Sequence, residues 1–170
     1  SEFIWQRDLM NSLKVPYVVL LGNHDCLGTG REAYTKIFGP ANFSFIAGNT
    51  KFVCLNTNAL EFDYSEPIPD FNFIENQLTE RQDEFEKTVV AMHARPGSDV
   101  FNNNVSKVFQ RYITQYPQLQ FCLNAHDHRV STDDLFDDGV IYYGSDCMKH
   151  RSYMLFTITP DNYTYELVNF

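Results

Sequence analysis

The sequence predicts an α/β fold whose final third is antiparallel β structure. In the first two thirds, short apolar runs of strand length alternate with amphipathic segments of helix length, as expected of a sheet flanked by helices. In the last third, strand-like runs follow one another across turn signals at Asp138-Gly139 and Asp161-Asn162. A chain of 170 residues suits one domain with a buried core.

Four segments are predicted to be helical. The first has apolar residues at roughly helical spacing, and the second ends before Gly39-Pro40, a common helix stop. The third begins at a capping-box pattern, and the fourth has a single apolar face. In chain order, they are residues 3–13, 31–38, 79–87 and 105–116.

The strands are predicted from short apolar runs bounded by turn residues. Gly48-Asn49 indicates one hairpin, and the two turns in the last third indicate two more. In chain order, the strands are residues 17–21, 43–47, 51–56, 88–92, 119–123, 135–136, 140–143, 153–159 and 163–168. Residues 57–76 are predicted to be a long loop that its aromatic side chains pack down.

Charge and composition exclude several classes of function. The formal net charge of −9 repels a phosphate backbone, so no nucleic-acid polymer is expected as a partner. The longest apolar run, residues 17–21, is too short to span a bilayer, so no membrane partner is expected. None of the four cysteines forms a C-x-x-C pair, and Cys54 and Cys122 are expected to be buried free thiols. Free thiols slightly favour a reducing compartment such as the cytoplasm.

Four of the five histidines come directly after predicted strands. They occur in Gly22-Asn23-His24-Asp25, at His93, and in His126-Asp127-His128. The carboxyl ends of strands in α/β sheets are where sites are built, and residues two apart in extended chain face the same side. Each histidine alone is more often structural, but the set predicts a metal or acid–base site. Arg95 is expected to be an ordinary solvated basic residue.

The same motifs, in this order, resemble the calcineurin-like metallophosphoesterases. The similarity also includes Phe38-Gly39-Pro40, Phe43-Ser44-Phe45 and the strand at residues 51–56, so it covers nearly the whole chain. The resemblance implies a layered β-sandwich flanked by helices, and here one that lacks its first strands. It also implies a two-metal centre that hydrolyses phosphoesters with a metal-activated water.

The resemblance assigns a role to each residue of the motifs. Asn23, through its amide oxygen, would bind one metal together with His93 and His126. His128 would bind the second metal. Mixed nitrogen and oxygen ligands suit Mn, Fe or Zn as divalent or trivalent ions.

Two further residues would act on the substrate. His24 would face the phosphoryl oxygens, stabilise them and protonate the leaving group. Asp25 would accept a hydrogen bond from His24 and hold its tautomer. The expected substrate is a small phosphorylated molecule, and the resemblance leaves open whether it is a monoester or a diester.

The sequence departs from the family pattern upstream of Gly22. The family's Asp-x-His and Gly-Asp motifs, which supply most ligands of the first metal and the bridging carboxylate, are not among these residues. Residues 1–170 therefore resemble a single partial domain, its C-terminal two thirds. We expect such a chain alone to bind metal with reduced or absent occupancy, to be nearly inactive, and to self-associate through the surface that the missing strands would cover.

Two alternatives remain open at this stage. The first is a non-catalytic binding module on a degenerate metallophosphoesterase fold. The second is a single-metal hydrolase that uses Asn23, His93 and His126 with one water. The retained His24-Asp25 pair disfavours the binding module, because such a module has no use for an oriented acid.

Overall fold

A six-stranded mixed sheet forms the centre of the computed structural model, which describes residues 2–59 and 66–170. Its strands lie in the order β1-β2-β3-β4-β6-β5. The inner strands β2, β3, β4 and β6 are mutually parallel, and the two edge strands β1 and β5 are antiparallel to their neighbours. The bounds are β1 Phe43–Ala47, β2 Thr50–Leu55, β3 Lys87–Met92, β4 Leu119–Asn124, β5 Ser131–Asp134 and β6 Ile141–Gly144.

The sheet has a different layer on each face. On one face lie the helices α3 (Phe71–Asn76) and α4 (Ser106–Ile113), whose Ile74, Phe109 and Ile113 are fully buried against the sheet. On the other face lies a hairpin of β7 (Ser152–Ile158) and β8 (Tyr163–Asn169), which packs around Phe121. Every residue of β3 is buried because β3 lies between these two layers.

The N-terminal part of the chain lies beside β1 and β2. Its helices are α1 (Glu2–Met10) and α2 (Gly30–Phe38), which meet through the rings of Phe3, Tyr34 and Phe38. Within the described ranges, no helix has the length and apolar character needed to span a membrane. The parallel strands all end at one edge of the sheet, so their following loops lie side by side there.

The α/β fold class with antiparallel hairpins near the C-terminus is confirmed, and most predicted strands are present. The last hairpin and the one at Gly48 are found nearly as predicted. The hairpin at Asp138-Gly139 pairs Ser131–Asp134 with Ile141–Gly144, so its first strand lies earlier than predicted. β6 also pairs in parallel with β4, which ties this hairpin into the central sheet. The β-sandwich and the loss of first strands stay predictions.

Three further local predictions are wrong. Residues 17–21 form no strand, and the carbonyls of Val19 and Leu21 accept hydrogen bonds from the side chains of Tyr34 and Asn58. Residues 79–87 form only a 3₁₀ turn at Gln82–Glu84 before β3 begins. The predicted loop at 57–76 contains α3, whose N-cap Asp70 accepts a hydrogen bond from the Phe73 amide. The aromatic residues Phe62 and Tyr64 of that loop lie outside the described residues.

Candidate metal centre

Two predicted metal ligands from separate loops lie in direct contact. His93 follows β3 immediately, and Asn23 precedes a 3₁₀ turn at His24–Cys26. The Nε2 atom of His93 lies 3.0 Å from the Oδ1 atom of Asn23. Two neighbouring ligands of an octahedral cation, each about 2.1 Å from it, are about 3.0 Å apart. The spacing of this donor pair therefore suits two ligands of one cation.

The third predicted ligand of this metal lies beside the first two. The ring of His126, just beyond the end of β4, has its centroid 5.2 Å from that of His93. A hydrogen bond of 3.0 Å from the Ala125 amide to the His93 carbonyl joins the two loops. His126 Nε2 lies 2.7 Å from Asp99 Oδ1, and this contact lowers the pKa of Asp99. A cation bound at His126 Nδ1 would keep the contact with Asp99, as ligating histidines commonly do.

The surroundings of His93 suit a neutral metal ligand. Its pKa is lowered to about 4, first by burial and then by the neighbouring His126, with smaller contributions of the same sign from His128 and His24. Asp25 acts in the opposite direction. The imidazole is therefore neutral near pH 7 and keeps a nitrogen lone pair for a cation. The other site residues thus lie within electrostatic range of His93.

His24 and His128 face solvent at the edge of this cluster. Both residues are exposed, and neither imidazole makes a hydrogen bond within residues 2–59 and 66–170. His128 has a left-handed backbone with a φ of 48°, as does His126 with a φ of 64°. Both imidazoles are therefore accessible to a ligand that approaches from solvent.

Asp25 has a different hydrogen-bond partner from the one predicted. Its Oδ2 accepts a hydrogen bond of 2.9 Å from the Gly22 amide, and the described residues include no bond between Asp25 and His24. The 3₁₀ turn at His24–Cys26 brings the Gly22 amide to the carboxylate. A Cβ at Gly22 would lie 3.1 Å from Asp25 Oδ2 and 3.4 Å from His93 Cε1, so glycine allows this close approach. Asp25 fixes the turn on which Asn23 and His24 lie.

Sequence reasoning missed the residues that hold the loops together. Thr57 Oγ1 donates a hydrogen bond of 2.7 Å to the Ala94 carbonyl, and Asn58 Nδ2 donates one of 2.8 Å to the Leu21 carbonyl. Both residues are buried and follow β2 at the same edge of the sheet. The strand-end rule that identified the histidines therefore also applies to them.

Arg95 is paired, contrary to the expectation of a solvated residue. Its side chain is only 13% exposed, and its Nε donates a hydrogen bond of 3.1 Å to Asp127 Oδ2. Asp133 lies on the other side of the guanidinium, 3.9 Å away. The ion pair links the loop after His93 to the His126-Asp127-His128 segment.

Comparison with protein families identifies the wider group. The model of the calcineurin-like phosphoesterase family matches residues 2–130, which include every predicted site residue. The chain belongs to the calcineurin-like phosphoesterase family. This family is one of metal-dependent phosphoester hydrolases, and its members generally bind divalent metals. No curated protein matches the chain.

Proposed function

We propose that this protein hydrolyses phosphoester bonds of a small phosphorylated substrate in a metal-dependent reaction. The observation that carries the proposal is the contact of Asn23 Oδ1 with His93 Nε2 at 3.0 Å, beside the ring of His126. Amide oxygen and neutral imidazole nitrogen suit Mn, Fe or Zn ions. Membership of the calcineurin-like phosphoesterase family supports the reaction class.

In this proposal, Asn23, His93 and His126 hold one cation, and His128 contributes to a second. Bound cations would acidify a water molecule and offset the negative charge of the phosphoryl group. The contact with Asp99 orients the His126 ring. The hydrogen bonds of Thr57 and Asn58 keep the loops of His93 and Asn23 in register.

His24 is the proposed substrate-facing acid. It is exposed beside the donor cluster, so its imidazole can donate a hydrogen bond to phosphoryl oxygens and a proton to the leaving group. Asp25 positions the turn through the Gly22 amide. Arg95 is already engaged with Asp127 and Asp133, so we do not assign it to the substrate phosphate.

The two proposed cations have unequal numbers of ligands among these 170 residues. Three side chains are assigned to the first position, whereas His128 is the single residue assigned to the second. A cation with one protein ligand is weakly held. We therefore propose that this chain by itself binds about one cation at the candidate metal centre and hydrolyses phosphoesters slowly.

The test combines metal content with hydrolysis in the purified chain. Metal is removed with a chelator, Mn²⁺ is restored, and bound metal is measured with the hydrolysis of p-nitrophenyl phosphate and bis(p-nitrophenyl) phosphate. We expect a slow, Mn²⁺-dependent rate that is lost in Asn23→Ala and His93→Ala, while His24→Ala binds metal but loses rate. Asn104→Ala is the matched control, because Asn104 is exposed and lies outside the cluster.

Each alternative has its own outcome. About one cation per chain with normal turnover would favour a single-metal hydrolase. Two cations per chain at an ordinary enzymatic rate would contradict the proposal that this chain is weak alone. No bound cation and no hydrolysis, in a folded protein, would contradict the proposed function and favour a binding module.

A further inference from the structure

A second group of metal-binding side chains lies outside the candidate metal centre. Asp146, Cys147 and His150 lie in the segment between the end of β6 and the start of β7. One donor atom from each residue lies within 4.8 Å of the others. The three donors are a carboxylate oxygen, a sulfur and an imidazole nitrogen.

We propose that Asp146, Cys147 and His150 form a separate binding site for a divalent cation of the Zn²⁺ class. The combination of sulfur and nitrogen donors favours Zn²⁺ over Mg²⁺ or Ca²⁺, which prefer oxygen ligands. The proposal is independent of the proposed hydrolase activity, because none of these residues is assigned to the candidate metal centre.

The distances within the group fit one small cation. Cys147 Sγ lies 3.8 Å from His150 Nδ1. In a tetrahedral zinc site, bonds of about 2.3 Å to sulfur and about 2.0–2.1 Å to nitrogen put these atoms about 3.6 Å apart. Asp146 Oδ1 lies 2.8 Å from His150 Nδ1, so this pair would separate by about 0.5 Å around a zinc ion with these bond lengths.

The backbone already holds the carboxylate in place. The Cys147 amide donates a hydrogen bond of 2.7 Å to Asp146 Oδ1, and the Asp146 side chain is only 16% exposed. The following 3₁₀ turn, Met148–His150, returns the imidazole over the same carboxylate. Two of the three ligands therefore need little ordering when a cation arrives.

Charge and access also fit a dication. A carboxylate, a thiolate and a neutral imidazole carry two negative charges, and the Cys147 thiol releases one proton on binding. The neighbouring Arg151 lies over the Phe170 ring, and the exposed charge of Lys149 is screened by solvent. The His150 side chain is 55% exposed, which leaves a fourth position for water.

Cobalt(II) is a suitable probe, because cobalt–thiolate bonds give a charge-transfer absorption that oxygen and nitrogen ligands do not give. The reduced full chain is titrated with Co²⁺. We expect the band in the wild-type protein, its loss in Cys147→Ser and its weakening in His150→Asn. Cys26→Ser is the matched control, because Cys26 is the other half-buried cysteine, and it should keep the band. His93→Ala should also keep it, which separates this site from the candidate metal centre.

Absence of the band in the wild-type protein, or its persistence in Cys147→Ser, would overturn the proposal. Alkylation provides a measurement that does not depend on a substituted thiol. Zn²⁺ should slow the reaction of Cys147 with iodoacetamide in the wild-type protein, as located by peptide mass, and should not slow it in His150→Asn. Equal rates with and without Zn²⁺ in the wild-type protein would also overturn the proposal.

Discussion

At the scale of single residues, the candidate metal centre depends on side chains that position other side chains. His126 reaches Asp99, Asp25 holds the Gly22 amide, and Thr57 is bonded to Ala94. Such contacts fix the orientation of a ligand before a cation binds. Changes at these residues should therefore affect metal affinity without removing a metal ligand.

Asp99→Ala tests whether the residue that orients His126 affects metal affinity. We expect Mn²⁺ affinity to fall by about 10–100-fold, the usual effect of removing a partner of a ligating histidine. Isothermal titration with Mn²⁺ measures it, and Asp161→Ala is the control because Asp161 is exposed on the turn before β8. Tighter binding in Asp99→Ala would show instead that Asp99 competes with the cation for His126 Nε2.

The sequence allowed the central residues of the site to be predicted, but not their partners. His93 and His126 follow neighbouring parallel strands whose ends meet at one edge, so their proximity could be inferred from strand ends. Asn23 lies beside His93 although the apolar run before it forms no strand. Asp99 lies in a loop without periodicity, and only the folded chain shows that it reaches His126.

The burial of Lys51 could not be predicted either. Its side chain is 1% exposed and its Nζ donates hydrogen bonds to two backbone carbonyls, whereas lysine side chains generally lie in solvent.

At the scale of secondary-structure elements, an apolar run did not by itself predict a buried strand, and only Leu21 of residues 17–21 is buried. Residues 17–21 have strand composition, yet a strand requires a partner, and their described carbonyl contacts are to side chains. The capping-box pattern at Thr79 was overridden because Arg81 takes a left-handed backbone and the chain soon enters β3. A local sequence pattern does not contain information about these long-range effects, so it cannot predict them.

The attachment of the β7–β8 hairpin to the sheet depends on Phe121 of β4. This ring is fully buried and lies 4.7 Å from the Phe156 ring and 4.5 Å from the Tyr163 ring. We expect Phe121→Ala to lower the free energy of unfolding by about 3–5 kcal/mol, because it leaves a cavity between the two sheets.

Denaturant unfolding measures this loss. The control is Val108→Ala on α4, where the side chain is 47% exposed and the expected change is within about 0.5 kcal/mol. A loss below about 1 kcal/mol in Phe121→Ala would indicate that the hairpin contributes little to folding.

At the scale of the whole molecule, a cation at the candidate metal centre would join loops that follow different parts of the chain. Asn23 precedes α2, His93 follows β3, and His126 follows β4. A ligand that binds only the folded state stabilises it by about 2.7 kcal/mol at 100 times its dissociation constant. For a chain of this size, that corresponds to a rise in Tm of about 5–11 °C.

Thermal unfolding with and without Mn²⁺ measures the rise. We expect excess chelator to reverse it and His93→Ala to abolish it, with Asn104→Ala responding as the wild type does. An equal response in His93→Ala would place the stabilising cation elsewhere in the chain.

The order of the strands in the sheet could not be predicted from the sequence. The turn at Asp138-Gly139 indicates a hairpin, but nothing local indicates that β6 pairs with β4 and leaves β5 at the edge. The same pairing brings the segment after β6 beside the loop of His126, because the Ser145 amide donates a hydrogen bond to the Asn124 carbonyl.

The left-handed backbone at His126 and His128 sets stability against the proposed metal binding in a single loop. Non-glycine residues at such positions cost of order 1–3 kcal/mol when the surrounding structure imposes them. A chain selected only to stay folded would carry glycine or asparagine at both positions. Glycine at position 128 should therefore give a more heat-resistant protein, and retaining histidine there makes sense where its imidazole is needed for chemistry.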